Sequence, residues 1–233
     1  MNNLQKLRNS MTSEKKANSK HDLFAFYVGR PLSYLLTLPF LHFHIKPNVV
    51  SLISLVEVLI ASIMLSIANN KWALIFGVML FFLWNLLDGV DGNIARTMNI
   101  KSSMGSTWDA ASGYAATLLT YFSMGCVAYN ISDNSMYLVL GGLSAIFTLY
   151  PRLVLHKSKS EENVEAVNTI VNKSEYDTLQ VIALNITSTS GLIQPIMLLS
   201  VIFEMAGLFT AAYFVINLLL MIFSLMKLFK GTL

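Results

Sequence analysis

Charged residues are scarce in this chain. Asp, Glu, Lys and Arg make up 12% of its 233 residues, whereas 55% are hydrophobic and the mean hydropathy is +0.58. A water-soluble domain of this length needs far more polar surface than this composition provides. Apolar stretches of about 20 residues recur along the sequence, which is typical of a polytopic helical membrane protein.

Cysteine is almost absent, and histidine is scattered. Cys126 is the single cysteine and lies in an apolar segment, which excludes a disulfide framework and a cysteine-type zinc site. His42 and His44 are two residues apart, so they do not share a helix face as metal ligands would. No basic patch stands apart from the membrane flanks, and we therefore expect no nucleic-acid partner.

The hydropathy pattern predicts an all-α fold with an interfacial helix followed by transmembrane helices. The segment 31–45 contains Pro31 and Pro39, is short for a span, and is predicted to lie along the cytoplasmic surface. It separates a cytoplasmic N-terminal segment, 1–30, from a membrane domain, 46–233. Six spans are predicted in that domain, at about 49–69, 72–94, 103–128, 136–156, 179–203 and 207–228.

The basic residues predict the orientation of these helices. In the six-helix arrangement, 15 of the 16 Lys and Arg residues lie on one side and only Lys71 faces the other. Basic residues collect on the cytoplasmic side of membrane proteins. We therefore expect a multi-pass integral membrane protein with both termini in the cytoplasm.

An acidic run punctuated by glycine joins the second and third predicted spans. Asp88 and Asp91 share a helix face, and the short connector 95–102 brings Asp109 back to the same side. Three converging carboxylates repel one another unless a cation neutralises them. Oxygen ligands favour a hard divalent ion, Mg²⁺ first and Mn²⁺ second. The run is predicted to be cytoplasmic and to bind such an ion.

Small and basic residues beside these carboxylates indicate a phosphate-bearing ligand. Gly92 and Gly105 permit close approach of backbone or ligand, and the planar guanidinium of Arg96 suits phosphate. Metal-binding carboxylates and a positioned cation are what phosphoryl transfer requires. An isolated Asp at a helix end often serves only as a cap, but the grouping of three with Arg96 favours a functional site.

The run resembles the signature of the CDP-alcohol phosphotransferase (CDP-alcohol phosphatidyltransferase) family, Asp-x2-Asp-Gly-x2-Ala-Arg-x8-Gly-x3-Asp-x3-Asp. Seven positions match in identity and spacing: Asp88, Asp91, Gly92, Ala95, Arg96, Gly105 and Asp109. The segment Pro47-Asn48-x2-Ser51 is similar to the Pro-Asn-x2-Thr entry of the family's first helix. The six-helix layout resembles the family's membrane domain across roughly 30–230.

The resemblance implies transfer of a substituted phosphate from a CDP-alcohol donor to an alcohol acceptor, with release of CMP. The acceptor class stays open between a lipid, a polyol and a glycan, and so does the route, phospholipid or lipid-linked glycan synthesis. The implied metal ligands are Asp88, Asp91 and Asp109, and the implied donor-binding residues are Asn48, Ser51, Gly92, Ala95, Arg96, Ser102 and Gly105. Membrane lipids surround the domain, and a homodimer is compatible with the sequence, which specifies no interface.

The last position of the signature departs from the family. The family places there an aspartate that acts as base toward the acceptor hydroxyl, whereas this chain has Gly113. Three explanations compete: another group serves as base, the acceptor needs none, or the protein binds CDP compounds without turnover. A cation-coupled transporter is a further alternative, which the clustering of the acids at one end of the helices disfavours.

Glu57 is the candidate replacement base. It is the only acid in the apolar part of the first predicted span, and a carboxylate inside a membrane is by default a functional candidate. It lies about 13–15 Å along the helix from Asn48, a depth similar to that expected for Gly113. The alternative is a purely structural hydrogen bond between helices.

Overall fold

The computed structural model describes residues 7, 11, 13–100, 104–161 and 176–230, and all regular structure in these ranges is helical. The all-α prediction is therefore confirmed. A π-helical turn, Ala25–Gly29, precedes the second α-helix. The α-helices of the described ranges are α1 (Ser13–Ser19), α2 (Arg30–His42), α3 (Pro47–Ile67), α4 (Lys71–Thr97), α5 (Gly105–Ser132), α6 (Met136–Glu161), α7 (Thr178–Thr187), α8 (Ile193–Ile202) and α9 (Ala206–Phe229).

Four helices of the described chain are long and apolar enough to cross a membrane: α3, α4, α9 and the Met136–Ser158 part of α6. They agree with four of the predicted spans to within a few residues. The predicted third span coincides with α5, which has 28 residues but is rich in Ser, Thr, Gly and Tyr. These residues lower its hydropathy, so α5 is not among the four, and the predicted count of six spans is not confirmed.

The predicted span 179–203 is divided into α7 and α8. The chain turns between them, and the Leu192 N–H donates to the carbonyl of Asn185 at 2.8 Å. Gly191 permits this turn, because a Cβ there would lie 2.5 Å from the same carbonyl oxygen. Pro195 is the third residue of α8, and its missing N–H is tolerated there because the first turn of a helix has no intrahelical acceptor for it.

The predicted interfacial segment is helical and corresponds to α2. Pro31 lies in its first turn, where a missing N–H is tolerated, and Pro39 is accommodated inside the helix. One face of α2 and the residues after it pack on α3 and α4. The apolar cluster comprises Val50, Leu87, Val90 and Ile94, with Leu36, Phe40, Leu41, Ile45 and Leu83 against it. The position of α2 at a membrane surface stays a prediction.

Several helices end in a left-handed residue that is not glycine. His44, Asn99, Asp133 and Glu204 have φ between 51° and 58° and follow α2, α4, α5 and α8. After Asn99, the Ile100 N–H donates to a carbonyl of the last helical turn at 2.9 Å. This arrangement satisfies carbonyls that a helix end would otherwise leave unpaired.

The described chain forms two compact units. The first contains the described residues of 1–61, 78–116 and 172–196, and the second contains those of 62–77, 117–171 and 197–233. Every acid of the predicted site belongs to the first unit. Inside the second unit, α5 and α6 approach closely at Gly125 and Gly141, where an added Cβ would lie 2.7–2.8 Å from the opposite backbone. Small residues at such positions allow the backbones of two helices to approach closely.

Candidate functional site

A cavity of about 550 Å³ lies in the first unit where three long helices have their ends. The first turns of α3 and α5 and the last turns of α4 line it, so α3 and α5 leave the cavity in the same direction and α4 in the opposite one. Part of the wall comes from α2 and the π-helical turn. Nine predicted site residues line this cavity: Asn48, Ser51, Asp88, Asp91, Gly92, Ala95, Arg96, Gly105 and Asp109.

The nine do not include three further predicted positions. Ser102 lies outside the described residues. Glu57 and Gly113 are described, but they are not among the residues that line the cavity. The structure therefore brings the described donor and metal candidates together around one cavity, whose lining does not include Glu57.

The three carboxylates lie close to one another. The side chains of Asp88 and Asp109 are joined by a hydrogen bond, and both Asp109 and Asp91 interact electrostatically with Asp88. Asp91 is buried and accepts a hydrogen bond from the hydroxyl of Ser51. The contact agrees with the sequence-based expectation that antiparallel helices align Asp109 with the acids of α4.

The chemistry of this group fits a divalent cation. Two carboxyl groups that share a hydrogen bond need a proton between them, and a cation can take the place of that proton. All candidate donors are oxygen atoms, which suits Mg²⁺ or Mn²⁺. As the side chains stand, no group of three or more acidic, His or Cys residues in the described ranges is arranged to hold a metal ion. Ion binding would therefore require the bonded carboxyl groups to separate.

Arg96 is held in place by its own helix. Its Nη2 donates to Oδ1 of Asn93 at 2.8 Å, and its guanidinium lies over Gly92, where an added Cβ would be 3.1 Å from Nη1. The glycine of the signature thus makes room for the arginine. The Nε atom of Arg96 is buried and has no hydrogen-bond partner among the described residues. Arg96 also lines the cavity, so its guanidinium is positioned to meet an anion there.

Asn93 connects this arginine to α2. Its Nδ2 donates to the hydroxyl of Thr37 at 3.0 Å and to that of Ser33 at 3.4 Å. The two helices meet closely here, because a Cβ at Gly89 would be 3.0 Å from Cβ of Ser33. Asn93 is 2% exposed, so these bonds are shielded from water. The predicted N-terminal helix is therefore a fixed wall of the site.

A second guanidinium, that of Arg30, also lines the cavity. It lies 5.2 Å from the ring centroid of Phe26, which is a cation–π contact. Burial lowers the pKa of Arg30 from its ordinary value, although an arginine remains charged under all usual conditions. Arg30 and Arg96 are near enough to interact electrostatically. Two like charges in one cavity are stabilised when an anion binds between or beside them.

Glu57 and Gly113 lie farther along α3 and α5. Those helices contact each other through the hydroxyls of Ser54 and Ser112, which are 2.8 Å apart. Both carboxyl oxygens of Glu57 are buried and have no hydrogen-bond partner among the described residues. A Cβ added at Gly113 would meet no atom within 4 Å. Among the described residues, no hydrogen bond from Glu57 to another helix is therefore seen, which was the structural alternative for this residue.

Some wall residues were not among the sequence-based candidates. Arg30 and Ser33 come from α2, and Asn85 comes from α4 one turn before the signature. Asn93 lies within the signature at a position that it leaves unspecified. The spacing of Asn93 from Gly89 and Arg96, at four and three residues, is the signal that places it on the same helix face. No sequence signal pairs it with α2.

Comparison with known families agrees with this arrangement. The family model described as CDP-alcohol phosphatidyltransferase matches residues 44–225, which is more than half of the chain. The match covers α3 to α6, the two shorter helices and most of α9. No curated protein and no solved structure matches the chain. The extent of the family match shows that the chain belongs to the CDP-alcohol phosphatidyltransferase family.

Proposed function

We propose that this integral membrane protein transfers a substituted phosphate group from a CDP-alcohol to an alcohol acceptor and releases CMP. The observation that carries the proposal is the single cavity wall on which three carboxylates and two guanidiniums meet. A CDP-alcohol presents a diphosphate, whose negative oxygens need cations on more than one side. Family membership indicates the reaction class, transfer in lipid synthesis, and the cavity supplies groups suited to it.

In this proposal the two arginines bind the diphosphate of the donor. Arg96 and Arg30 both line the cavity, and the buried Nε of Arg96 has no hydrogen-bond partner among the described residues. Arginine binds phosphate through two parallel hydrogen bonds, which fixes the orientation of the phosphorus as well as holding the charge. Asn93 keeps Arg96 at the required position. Asn48, Ser51 and Gly105 complete the wall around the donor, and Ser102 is retained as a sequence-based candidate.

Asp88, Asp91 and Asp109 would hold the divalent cation, Mg²⁺ or else Mn²⁺. Such an ion offsets the negative charge that builds up on the phosphate oxygens and on the departing CMP. The fold brings the three carboxylates close together, where α4 ends and α5 begins. The hydroxyl of Ser51 orients the carboxylate of Asp91 by donating to it.

We place the cavity on the cytoplasmic side of the membrane. This orientation rests on the distribution of Lys and Arg, 15 of 16 on the side of the acidic run. The predicted interfacial helix α2 then lies at the membrane surface, where a donor carrying lipid chains and an acceptor from the bilayer or from water can both enter. The acceptor is a lipid, polyol or glycan alcohol.

Donor binding by charge-neutralised variants tests the proposal. Asp88→Asn, Asp91→Asn and Asp109→Asn should each lose Mg²⁺-dependent binding of CDP-diacylglycerol, because each removes one negative ligand of the shared cation. The matched control is Asp133→Asn, which removes an exposed carboxylate that follows α5. The measurement is a titration of the full-length protein in detergent, with and without Mg²⁺. Unchanged donor affinity in all three site variants would refute the assigned site.

One observation favours a second function. Gly113 replaces the family's acceptor-side aspartate, which is consistent with a protein that binds CDP-alcohols without turnover. The release of CMP separates the two functions. A protein that binds the donor in the presence of every acceptor class and never releases CMP is a binding protein.

A further inference from the structure

The reaction proposed above requires a group that takes the proton of the acceptor alcohol, and the chain lacks the family's aspartate at Gly113. The space beside this glycine is open, since an added Cβ would meet no atom within 4 Å. The adjacent residue Ser112 is fixed, because its hydroxyl contacts both Ser54 of α3 and the indole N–H of Trp84 at 2.8 Å. Ser54 on α3 therefore lies at about the same depth as Gly113 on α5.

Glu57 lies one helical turn beyond Ser54. Three residues of helix correspond to about 4.5 Å, whereas Gly113 is about 1.5 Å beyond Ser112, so the two backbone positions differ by about 3 Å in depth. Side chains on an α-helix lean toward its N-terminus and lie over the preceding turn. Because α3 begins next to the cavity, this lean directs the side chain of Glu57 back along α3, toward the level of Gly113.

The hydrogen bonding of the Glu57 carboxyl group also distinguishes this residue from one that only packs. Its two carboxyl oxygens are buried and have no hydrogen-bond partner in the described part of the chain. A buried carboxyl group without hydrogen-bond partners is energetically unfavourable. An ionisable side chain of this kind in a membrane helix is by default a candidate for binding a ligand or transferring a proton.

We infer that Glu57 is the proton acceptor of the transfer reaction and does, from α3, what the family's last aspartate does from α5. This inference rests on the proposed function. The acceptor O–H bond breaks and its proton moves to the Glu57 carboxylate, while the acceptor oxygen forms a bond to the β-phosphorus of the donor. The bond from that phosphorus to the bridging oxygen breaks, and CMP leaves with the electron pair. Glu57 later returns the proton to solvent.

The inference also gives Gly113 a role. A side chain at this position would occupy the space between α5 and the incoming acceptor, whereas glycine leaves that space free. Moving the carboxylate to α3 therefore keeps the base and enlarges the acceptor side of the site. The roles of Glu57 and Gly113 can therefore be tested together, by moving the carboxylate from position 57 to position 113.

The experiment compares four full-length proteins: the parent, Glu57→Gln, Gly113→Asp, and the double variant carrying both changes. CMP release is measured with CDP-diacylglycerol and a panel of polyol, amino-alcohol and lipid acceptors, and donor affinity is measured separately. Glu57→Gln should lower the rate of CMP release by about 100-fold or more, the usual share of a general base, while donor affinity is unchanged. The double variant should recover release toward the smaller acceptors, because the carboxylate is back at the family position. Glu204→Gln, a change at an exposed carboxylate, is the matched control.

Each outcome bears on the inference separately from the proposed function. Full CMP release by Glu57→Gln refutes the inference and leaves the proposed transfer intact. Loss of release together with loss of donor binding also refutes it, because Glu57 would then act on the donor or on folding. Loss of release at unchanged donor affinity, with recovery in the double variant, supports it. A parent that binds the donor and releases no CMP refutes both the inference and the transfer reaction.

Discussion

Asn93 offers a sensitive test of how the site holds its phosphate-binding arginine. In Asn93→Ala the Nη2 atom of Arg96 loses an acceptor at 2.8 Å, and the hydroxyls of Thr37 and Ser33 lose a donor. Those hydroxyls still donate to backbone carbonyls, at 2.6 Å and 2.9 Å, so α2 keeps part of its support. The principal consequence should be a guanidinium that is free to turn away from the donor.

The magnitude follows from the kind of bond that is lost. A hydrogen bond to a charged group contributes about 1.5–3 kcal/mol, and water in the cavity can replace part of it. Taking the lower end, donor affinity should fall by about tenfold, since 1.4 kcal/mol corresponds to a factor of ten. Asn93→Asp should weaken donor binding further, because its carboxylate pairs with Arg96 and competes with the phosphate.

The assay is a titration of the purified full-length protein with CDP-diacylglycerol in detergent, accompanied by its thermal unfolding temperature. Asn130→Ala is the matched control, because Asn130 also donates a side-chain hydrogen bond, to the carbonyl of Ser66 at 2.9 Å, and lies in the second unit. Donor affinity in Asn93→Ala equal to that of the parent, with Arg96→Lys impaired, would refute the reasoning that Asn93 positions this arginine.

Three other predictions address the arginine, the packing and the orientation. Arg96→Lys should weaken donor binding, because an ammonium group cannot reproduce the planar fork of a guanidinium; equal affinity would exclude paired hydrogen bonds to phosphate. Gly141→Ala should lower the stability of the protein in detergent by about 1–3 kcal/mol, whereas Gly142→Ala should have little effect, because a Cβ at 141 lies 2.8 Å from the Gly125 Cα and one at 142 meets nothing within 4 Å. In a Cys126→Ala background, cysteines introduced at 1–20 or 229–233 should be protected from an impermeant reagent added outside intact cells, and efficient labelling there would reverse the orientation.

Much of the fold can be predicted from the lengths of the apolar segments in the sequence. The helices α3, α4, α6 and α9 were predictable because each is a long apolar segment bounded by polar residues, and their observed ends differ by a few residues from those predicted. The division of 179–203 was not predicted, since its average hydropathy conceals the turn at Gly191. That turn depends on the contact with the Asn185 carbonyl, which a hydropathy window does not detect.

The site was predictable where it depends on one or two adjacent helices. Helical spacing on α4 and the short connector to α5 were enough to bring Asp88, Asp91 and Asp109 together. The contribution of α2 was missed, because Arg30 and the partners of Asn93 reach the cavity only through packing between segments far apart in sequence. Sequence patterns specify neighbours along a helix, whereas such distant contacts are set by the shape of the whole unit.

The most direct test of the central claim is the release of CMP. The purified full-length protein is incubated with CDP-diacylglycerol, Mg²⁺ and a panel of alcohol acceptors, and CMP and the phosphodiester product are quantified together. Both products should appear in equal amounts and only when an acceptor is present, and both should disappear in Asp91→Asn but not in Asp133→Asn. Donor binding without CMP from any acceptor, or equal CMP release by parent and Asp91→Asn, would contradict the proposed transfer reaction.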